Sequence, residues 1–363
     1  MRWILARRVV VVLFCLLVRV LAMAQSAGVA ERLDREVPRL LAENHVPGVS
    51  IAVLRHGRIV MERAYGMQDA TTKATPRTLY NIASLTKPIT AQVAMRLLSQ
   101  GVFTLDEPMA PVWTDPDIAD DARRNLLTPR MALTHQTGFA NWRSMTGGKL
   151  TFQFEPGTRY GYSGEGFEYL ARFMEKKTGV PLDRNAKRLV FDPLGMKETA
   201  FTPQPFFIGR VAVPADDKGV WMMPRFADKP ISADMVYTTA HDYALLLKAV
   251  MANTGITREV AAERDRMQID VREEMCSRLA AGLCPDAAGS GLSWQLMRFG
   301  GTTVMMHGGH DPGVHTLAYL VREDGSGAVI LTNGENGKKL YPLILEAMGA
   351  PERFTRTMAA LMK

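Results

Sequence analysis

Apolar residues recur at helical spacing in Val29, Leu33, Val37 and Leu40, which predicts an N-terminal helix. The period then changes. Gly48 to Leu54 and Arg58 to Tyr65 read as two strands joined by a turn at His56-Gly57. Ile89, Val93 and Leu97 predict a helix that begins just after Ser84 and is stopped by Gly101. From there to about Met251 the signals are mostly helical, broken by loops rich in proline and glycine. One helix in this stretch starts near Glu165, places Phe167, Leu170, Ala171 and Met174 on one face, and stops near Gly179, before Pro181. Another spans Ala240 to Met251, with Leu245, Leu246 and Ala249 as its expected buried face. Residues 203–230 hold several prolines and aromatics and are expected to wall a cleft. Ser293–Phe299, Thr303–His307, Val314–Val321 and Ala328–Thr332 read as closing strands, and Leu340 to Met348 as a final helix.

Strands therefore come from both ends of the chain and helices from its middle. A sheet built from the two ends with a helical insert is the simplest packing. The sheet region is expected at about 25–75 and 290–363, the helical region at about 76–289. Neither an internal repeat nor a low-complexity tract interrupts this plan.

The first residues change the picture of charge. Arg2, Arg7 and Arg8 form a basic start, Val9 to Val18 an apolar run, and Ala22-Met23-Ala24 a small-residue cleavage site. This is the pattern of a secretory signal peptide over residues 1–24. Arg19 cuts the apolar run short of the roughly 20 residues that a membrane span needs, so cleavage rather than stable membrane insertion is expected. Four arginines and no acidic residue lie in this segment, so the net charge of +7 for 363 residues falls to +3 after its removal. The mature chain, 25–363, carries no basic stripe with interleaved aromatics, which excludes a nucleic-acid partner. Its two cysteines, Cys276 and Cys284, are open to two readings: a disulfide formed in an oxidising compartment, or two buried thiols.

The candidate chemistry begins at Ser84-Leu85-Thr86-Lys87. Positions i and i+3 of a helix share a face, so the Lys87 amine can reach the Ser84 oxygen. A serine hydroxyl needs such a base to become a nucleophile. Pro88 is tolerated only near a helix start, which pins Ser84 close to the N-terminal end. A second group is Tyr160-Gly161-Tyr162-Ser163-Gly164, after a Pro156-Gly157 turn. It places Tyr162 on a loop entering a helix, from which a phenol can point into a cleft. The third is His307-Gly308-Gly309, at the end of an apolar strand, where glycines permit close approach of a ligand or another backbone. His310 and His315 follow, but no Cys or carboxylate cluster nearby completes a recognisable ligand set, so no metal is expected.

These groups, in this order, resemble the serine penicillin-recognising enzymes, in particular the branch holding class C β-lactamases, D-Ala-D-Ala carboxypeptidases and family VIII esterases. The resemblance extends over nearly the whole mature chain, through Val49-Ser50-Ile51-Ala52-Val53, Leu133-Thr134-His135-Gln136-Thr137-Gly138, Pro156-Gly157-Thr158 and Gly291-Leu292-Ser293-Trp294. It implies an α/β (α+β) fold: an antiparallel sheet flanked by terminal helices, plus a mostly helical insert. It also implies roles. Ser84 would be the acylated nucleophile, with Lys87 and Tyr162 sharing the work of general base. An ammonium beside a phenol favours the phenolate, so Lys87 is expected to make Tyr162 more acidic. The backbone N–H groups of Ser84 and His310 would bind the oxyanion. His307, Gly308 and Gly309 would line the cleft, with His307 in the place of the family's lysine, near its ordinary pKa and helping to hold a substrate carboxylate. Gly164 stands at a substrate-binding position where the family usually has asparagine, and so leaves room for esters.

The function expected is that of an exported serine hydrolase, periplasmic or secreted. It would act without a cofactor through a Ser84 acyl-enzyme on small-molecule or peptidoglycan-derived substrates, such as D-alanyl peptides or β-lactams. A carboxylesterase and a penicillin-binding sensor with little turnover are the alternatives, and a degenerate non-catalytic scaffold is the third.

Overall fold

The computed structural model describes residues 28–280 and 282–362. The expected signal segment lies outside them. Among the described residues, ten strands form two sheets. Eight belong to one antiparallel sheet in the order β2-β1-β10-β9-β8-β7-β6-β5. They are β1 Gly48–Arg55, β2 Arg58–Gly66, β5 Ile269–Asp270, β6 Ala287–Ser290, β7 Gln295–Phe299, β8 Thr302–Asp311, β9 Val314–Val321 and β10 Ser326–Thr332. The other two, β3 Tyr80–Asn81 and β4 Tyr237–Thr238, pair on their own. Pairing of β1 with β10 closes the long loop between the chain's two ends, with Val49 opposite Thr332 and Leu54 opposite Gly327.

Side chains alternate across the sheet, and both faces are buried. Val49, Ile51 and Val53 of β1, Leu317 and Tyr319 of β9 and Ile330 of β10 point one way. There they meet Leu33, Val37 and Leu40 of the helix over 28–43, together with Ile344, Phe354 and Met358 from the C-terminal end. The alternate residues Ala52, Leu54, Leu320, Val329 and Leu331 face a second core. It contains Ile89, Val93 and Leu97 of the Thr86–Ser99 helix and Phe167, Leu170 and Met174 of the Gly164–Thr178 helix. The sheet is thus the middle layer, and the turn that carries Ser84 packs against β8 and β9 on its helical side.

Several expectations shift. β5 and β6 join the sheet edge within a stretch expected to be helical. Between Gly101 and Ser163 the chain holds only short 3-10 turns and the five-residue helix Pro129–Leu133, because Pro and Gly punctuate it too densely for longer helices. Ser293 lies in a turn with φ +69°, so β7 starts two residues later than expected. β8 does not stop at His307 but continues to Asp311. In the Ala240–Met251 helix Leu246 and Ala249 are buried, whereas Leu245 is only half-buried and Leu247 takes its place. The last expected helix, observed as Tyr341–Ala347, is followed by another, Glu352–Leu361.

That last helix buries Phe354 and Met358 one turn apart. Phe354→Ala is expected to destabilise the protein by about 3–5 kcal/mol. Urea unfolding measures this, and a loss below about 1 kcal/mol would mean that the helix does not belong to the cooperative core.

Candidate functional site

Ser84 sits in a 3-10 turn, Ala83–Leu85, that runs directly into the Thr86–Ser99 helix. Residues three apart eclipse one another in such a turn. Lys87 therefore stands under Ser84 and donates from Nζ to its Oγ at 2.8 Å and to the Ala233 carbonyl at 2.9 Å. Lys87 has no exposed surface. Pro88 falls in the helix's first turn, where its missing N–H costs nothing.

The turn is strained at Ala83, whose φ of +46° is in the left-handed region. Asn81 holds it there, with Oδ1 accepting the Ala83 N–H at 2.8 Å and Nδ2 donating to Asp311 at 2.8 Å. Thr316 Oγ1 donates to the Ile82 carbonyl at 2.9 Å. Tyr243 OH donates to the Leu85 carbonyl at 2.9 Å.

Tyr162 leads into the Gly164–Thr178 helix, which Ser163 caps by accepting the Gly166 N–H at 3.0 Å. The Tyr162 phenol faces the Ser84 hydroxyl. Lys87 Nζ lies 4.8 Å from the centre of the Tyr162 ring. Behind that ring stands His135, at 4.3 Å between centroids, its Nδ1 accepting the Ser163 N–H at 3.1 Å. This bond fixes the imidazole as a neutral tautomer protonated on Nε2.

Along β8, Met305, His307 and Gly309 share the face turned to the helical layer. His307 is buried, with its ring 6.3 Å from that of Tyr162 and its Nδ1 on the Gly308 carbonyl at 2.7 Å. Gly309 touches the Ser84 turn so closely that a Cβ there would lie 2.4 Å from the Ile82 carbonyl oxygen and 3.1 Å from Ser84 N. The next peptide is that of His310. Its side chain leaves on the opposite face, at the end of the sheet, and there the rings of His310 and His315 stack 4.3 Å apart beside Glu335.

Gly164 does not offer the cleft a free group. Its N–H is taken by Asn141, and the Trp142 indole covers it, so that a Cβ would lie 2.8 Å from the ring. Trp142 is held in turn by its neighbour Arg143, which bonds Glu165 at 2.9 Å and Asp115 at 3.0 Å. Cys276 and Cys284 are joined in a disulfide, remote in sequence from these groups. Residues 203–230 are mostly irregular, and Ala215 packs against Gly313 at the β8–β9 turn.

The electrostatics follow from burial. Desolvation lowers Lys87 to about 8, opposed by the negative charges of Asp234, Glu168 and Asp311. Asp234 is raised to about 7 by burial and by the like charge of Asp311. His307 drops to about 3, mainly through burial and then through Lys87, so it is neutral throughout the physiological range rather than near its ordinary pKa. Burial also holds His135 well below the ordinary histidine value. For Tyr162 the sequence-based expectation fails. Burial raises the phenol, and the opposing influence is the Ser84 hydroxyl rather than Lys87, whose amine lies against the ring.

Sequence reasoning missed Asn81, His135, Trp142, Asp234 and Asp311. His135 lies in a run noted only for its resemblance, and the others carry no local signal.

A model of the Beta-lactamase family matches residues 33–348, and the chain belongs to that family. It is a serine hydrolase of that fold. The chain is 28% identical to esterase EstB of Burkholderia gladioli over 66% of this chain and 75% of that protein. It is 26% identical to penicillin-binding protein 4 of Amycolatopsis lactamdurans over 84% of each. Among solved structures, the octameric penicillin-binding protein homologue from Pyrococcus abyssi superposes with a TM-score of 0.74 at 21% identity, covering 89% of this chain and 78% of that one.

Two outcomes test this geometry. Gly164→Asn is expected to push Trp142 aside rather than restore an amide to the cleft, costing about 1–3 kcal/mol. Tryptophan emission and urea unfolding read it, and an unchanged spectrum at unchanged stability would refute the contact. The second is acid sensitivity. Folded His307 keeps its neutral form down to about pH 3, whereas an unfolded histidine takes its proton near its ordinary pKa of 6.5. The unfolded chain therefore holds the extra proton between these values, and stability falls as pH drops through that window. At pH 5 the cost is about 2 kcal/mol, which His307→Gln should remove from the difference between pH 7 and pH 5 unfolding curves.

Proposed function

We propose that the protein hydrolyses carboxylic esters without a charged carboxylate, through an acyl-enzyme on Ser84. The observation that carries this is the 2.8 Å contact between Lys87 Nζ and Ser84 Oγ, with the Tyr162 phenol facing the same hydroxyl. An amine brought down to about 8 is partly neutral at working pH and can accept the serine proton. Ser84 Oγ then bonds to the ester carbonyl carbon, and the negative charge on the carbonyl oxygen is met by the Ser84 and His310 backbone N–H groups, with Gly308 and Gly309 allowing the close approach. Collapse breaks the bond to the alcohol oxygen. Tyr162, kept protonated by burial, gives that oxygen its proton and regains one from Lys87. Water repeats the sequence in reverse order to release the acid.

The ester preference rests on charge. Lys87 is occupied by Ser84 and Ala233, and His307 is neutral, so neither offers the fixed positive charge that would hold a carboxylate. Asp234 and Asp311 add negative charge nearby. EstB is named an esterase. The second reading, D-alanyl peptides or β-lactams, is favoured by the likeness to a penicillin-binding protein over most of the chain. Export fits both: residues 1–24 have the form of a signal, and the Cys276–Cys284 disulfide suits an oxidising compartment, leaving 25–363 as one catalytic unit.

The test is turnover of p-nitrophenyl butyrate, a chromogenic cephalosporin and a fluorescent penicillin by the wild type and Ser84→Ala. Ester turnover alone is expected, rising with pH through about 8 as Lys87 loses its proton, and lost in Ser84→Ala. Efficient cephalosporin turnover or a stable penicillin label would select the second reading, and activity surviving in Ser84→Ala would remove Ser84 as nucleophile.

A further inference from the structure

We infer that His310, His315 and Glu335 form a binding site for a zinc-class divalent cation on the side of the β8–β9 hairpin turned away from Ser84. One ligand atom from each residue lies within 4.8 Å of the others. Two imidazoles and a carboxylate are a donor set that zinc takes in tetrahedral sites, with water in the fourth position.

Three features make this more than a chance meeting of side chains. His310 and His315 are directly opposed in the β8–β9 ladder, so their separation is set by the sheet. Glu335 comes from the turn after β10 and is fixed twice: its Oε2 accepts the Gly313 N–H at 2.7 Å, and its backbone N–H donates to the Ala215 carbonyl at 2.9 Å. That leaves Oε1 for the histidines, and it stands 3.1 Å from His310 Nε2. His310 is the most exposed of the three, at 58% of its side chain, so its ring can swing to complete the coordination while the other two stay fixed. The bland alternative is a stacked histidine pair that shares a hydrogen bond with a surface carboxylate.

Metal here would tie the β8–β9 turn to the loop after β10, directly behind the peptide of His310. The site does not depend on the ester chemistry, so binding and hydrolysis can succeed or fail separately. The test is titration of the untagged protein with Zn²⁺ by calorimetry, and with Co²⁺ by visible absorption. One equivalent is expected to bind with a Kd below about 1 μM, to raise the melting temperature, and to give the intense d–d bands of tetrahedral Co²⁺. Glu335→Gln and His315→Ala should each weaken binding at least about tenfold. Melting without metal establishes that each variant is folded, and Glu335→Gln preserves shape if His315→Ala does not. Absence of binding at about 100 μM Zn²⁺, or equal binding in the wild type and folded Glu335→Gln, would overturn the site.

Discussion

The cleft depends on enclosing one amine. Lys87 has no exposed surface, and desolvation pushes it toward the neutral form. Asp234, Glu168 and Asp311 pull it the other way, yet none of them bonds to Nζ. The bonds of Nζ go instead to a hydroxyl and a carbonyl. The distinction matters because a direct carboxylate contact would keep the amine charged and unable to accept a proton. Acids at a remove leave it poised near 8. Asp311 spends its own hydrogen bond on Asn81, which keeps it at that remove.

The same Asn81 bears the mechanical load. Ala83 occupies a left-handed conformation that costs a non-glycine residue about 1–3 kcal/mol. Such strain persists only when its surroundings over-determine it. Here Asn81 binds the Ala83 amide, Thr316 binds the Ile82 carbonyl and Tyr243 binds the Leu85 carbonyl. Thr316 belongs to β9, so the turn holding Ser84 is clamped by a strand more than 200 residues later. Gly309 completes the clamp by having no side chain where the Ile82 carbonyl needs to be.

Where a feature is local and periodic, the sequence reveals it. The 28–43 helix, β1, β9, β10 and the helix after Ser84 rest on runs of buried residues, and the Ser84–Lys87 spacing is itself a geometric statement. Features set by distant contacts do not show. β6 reads Ala-Ala-Gly-Ser and has no apolar run to mark it, because its pairing with β7 supplies the order. Tyr162 was legible as a residue but not in its acidity, since the depth of burial is a property of the fold. Glu335 lies twenty residues past His315, in another loop, so the histidines gave no sign of the carboxylate beside them.

Gly164 shows how one substitution is absorbed by its surroundings. Read alone, a glycine in that place means a missing side chain and an open space. In the fold the space is filled by Trp142, braced through Arg143 against Glu165 and Asp115. Lys87 Nζ lies 5.9 Å from the Trp142 ring and 4.8 Å from that of Tyr162, so the amine faces π-surfaces as well as a hydroxyl. An aromatic wall can attract a cation but cannot donate to a substrate amide as asparagine would. With His307 neutral on the opposite side, the Ser84 surroundings present aromatic faces and one buried amine. This is the ground of the ester preference proposed above: a neutral acyl group loses little on entering such a space, whereas a carboxylate must shed its water with no fixed counter-charge to meet.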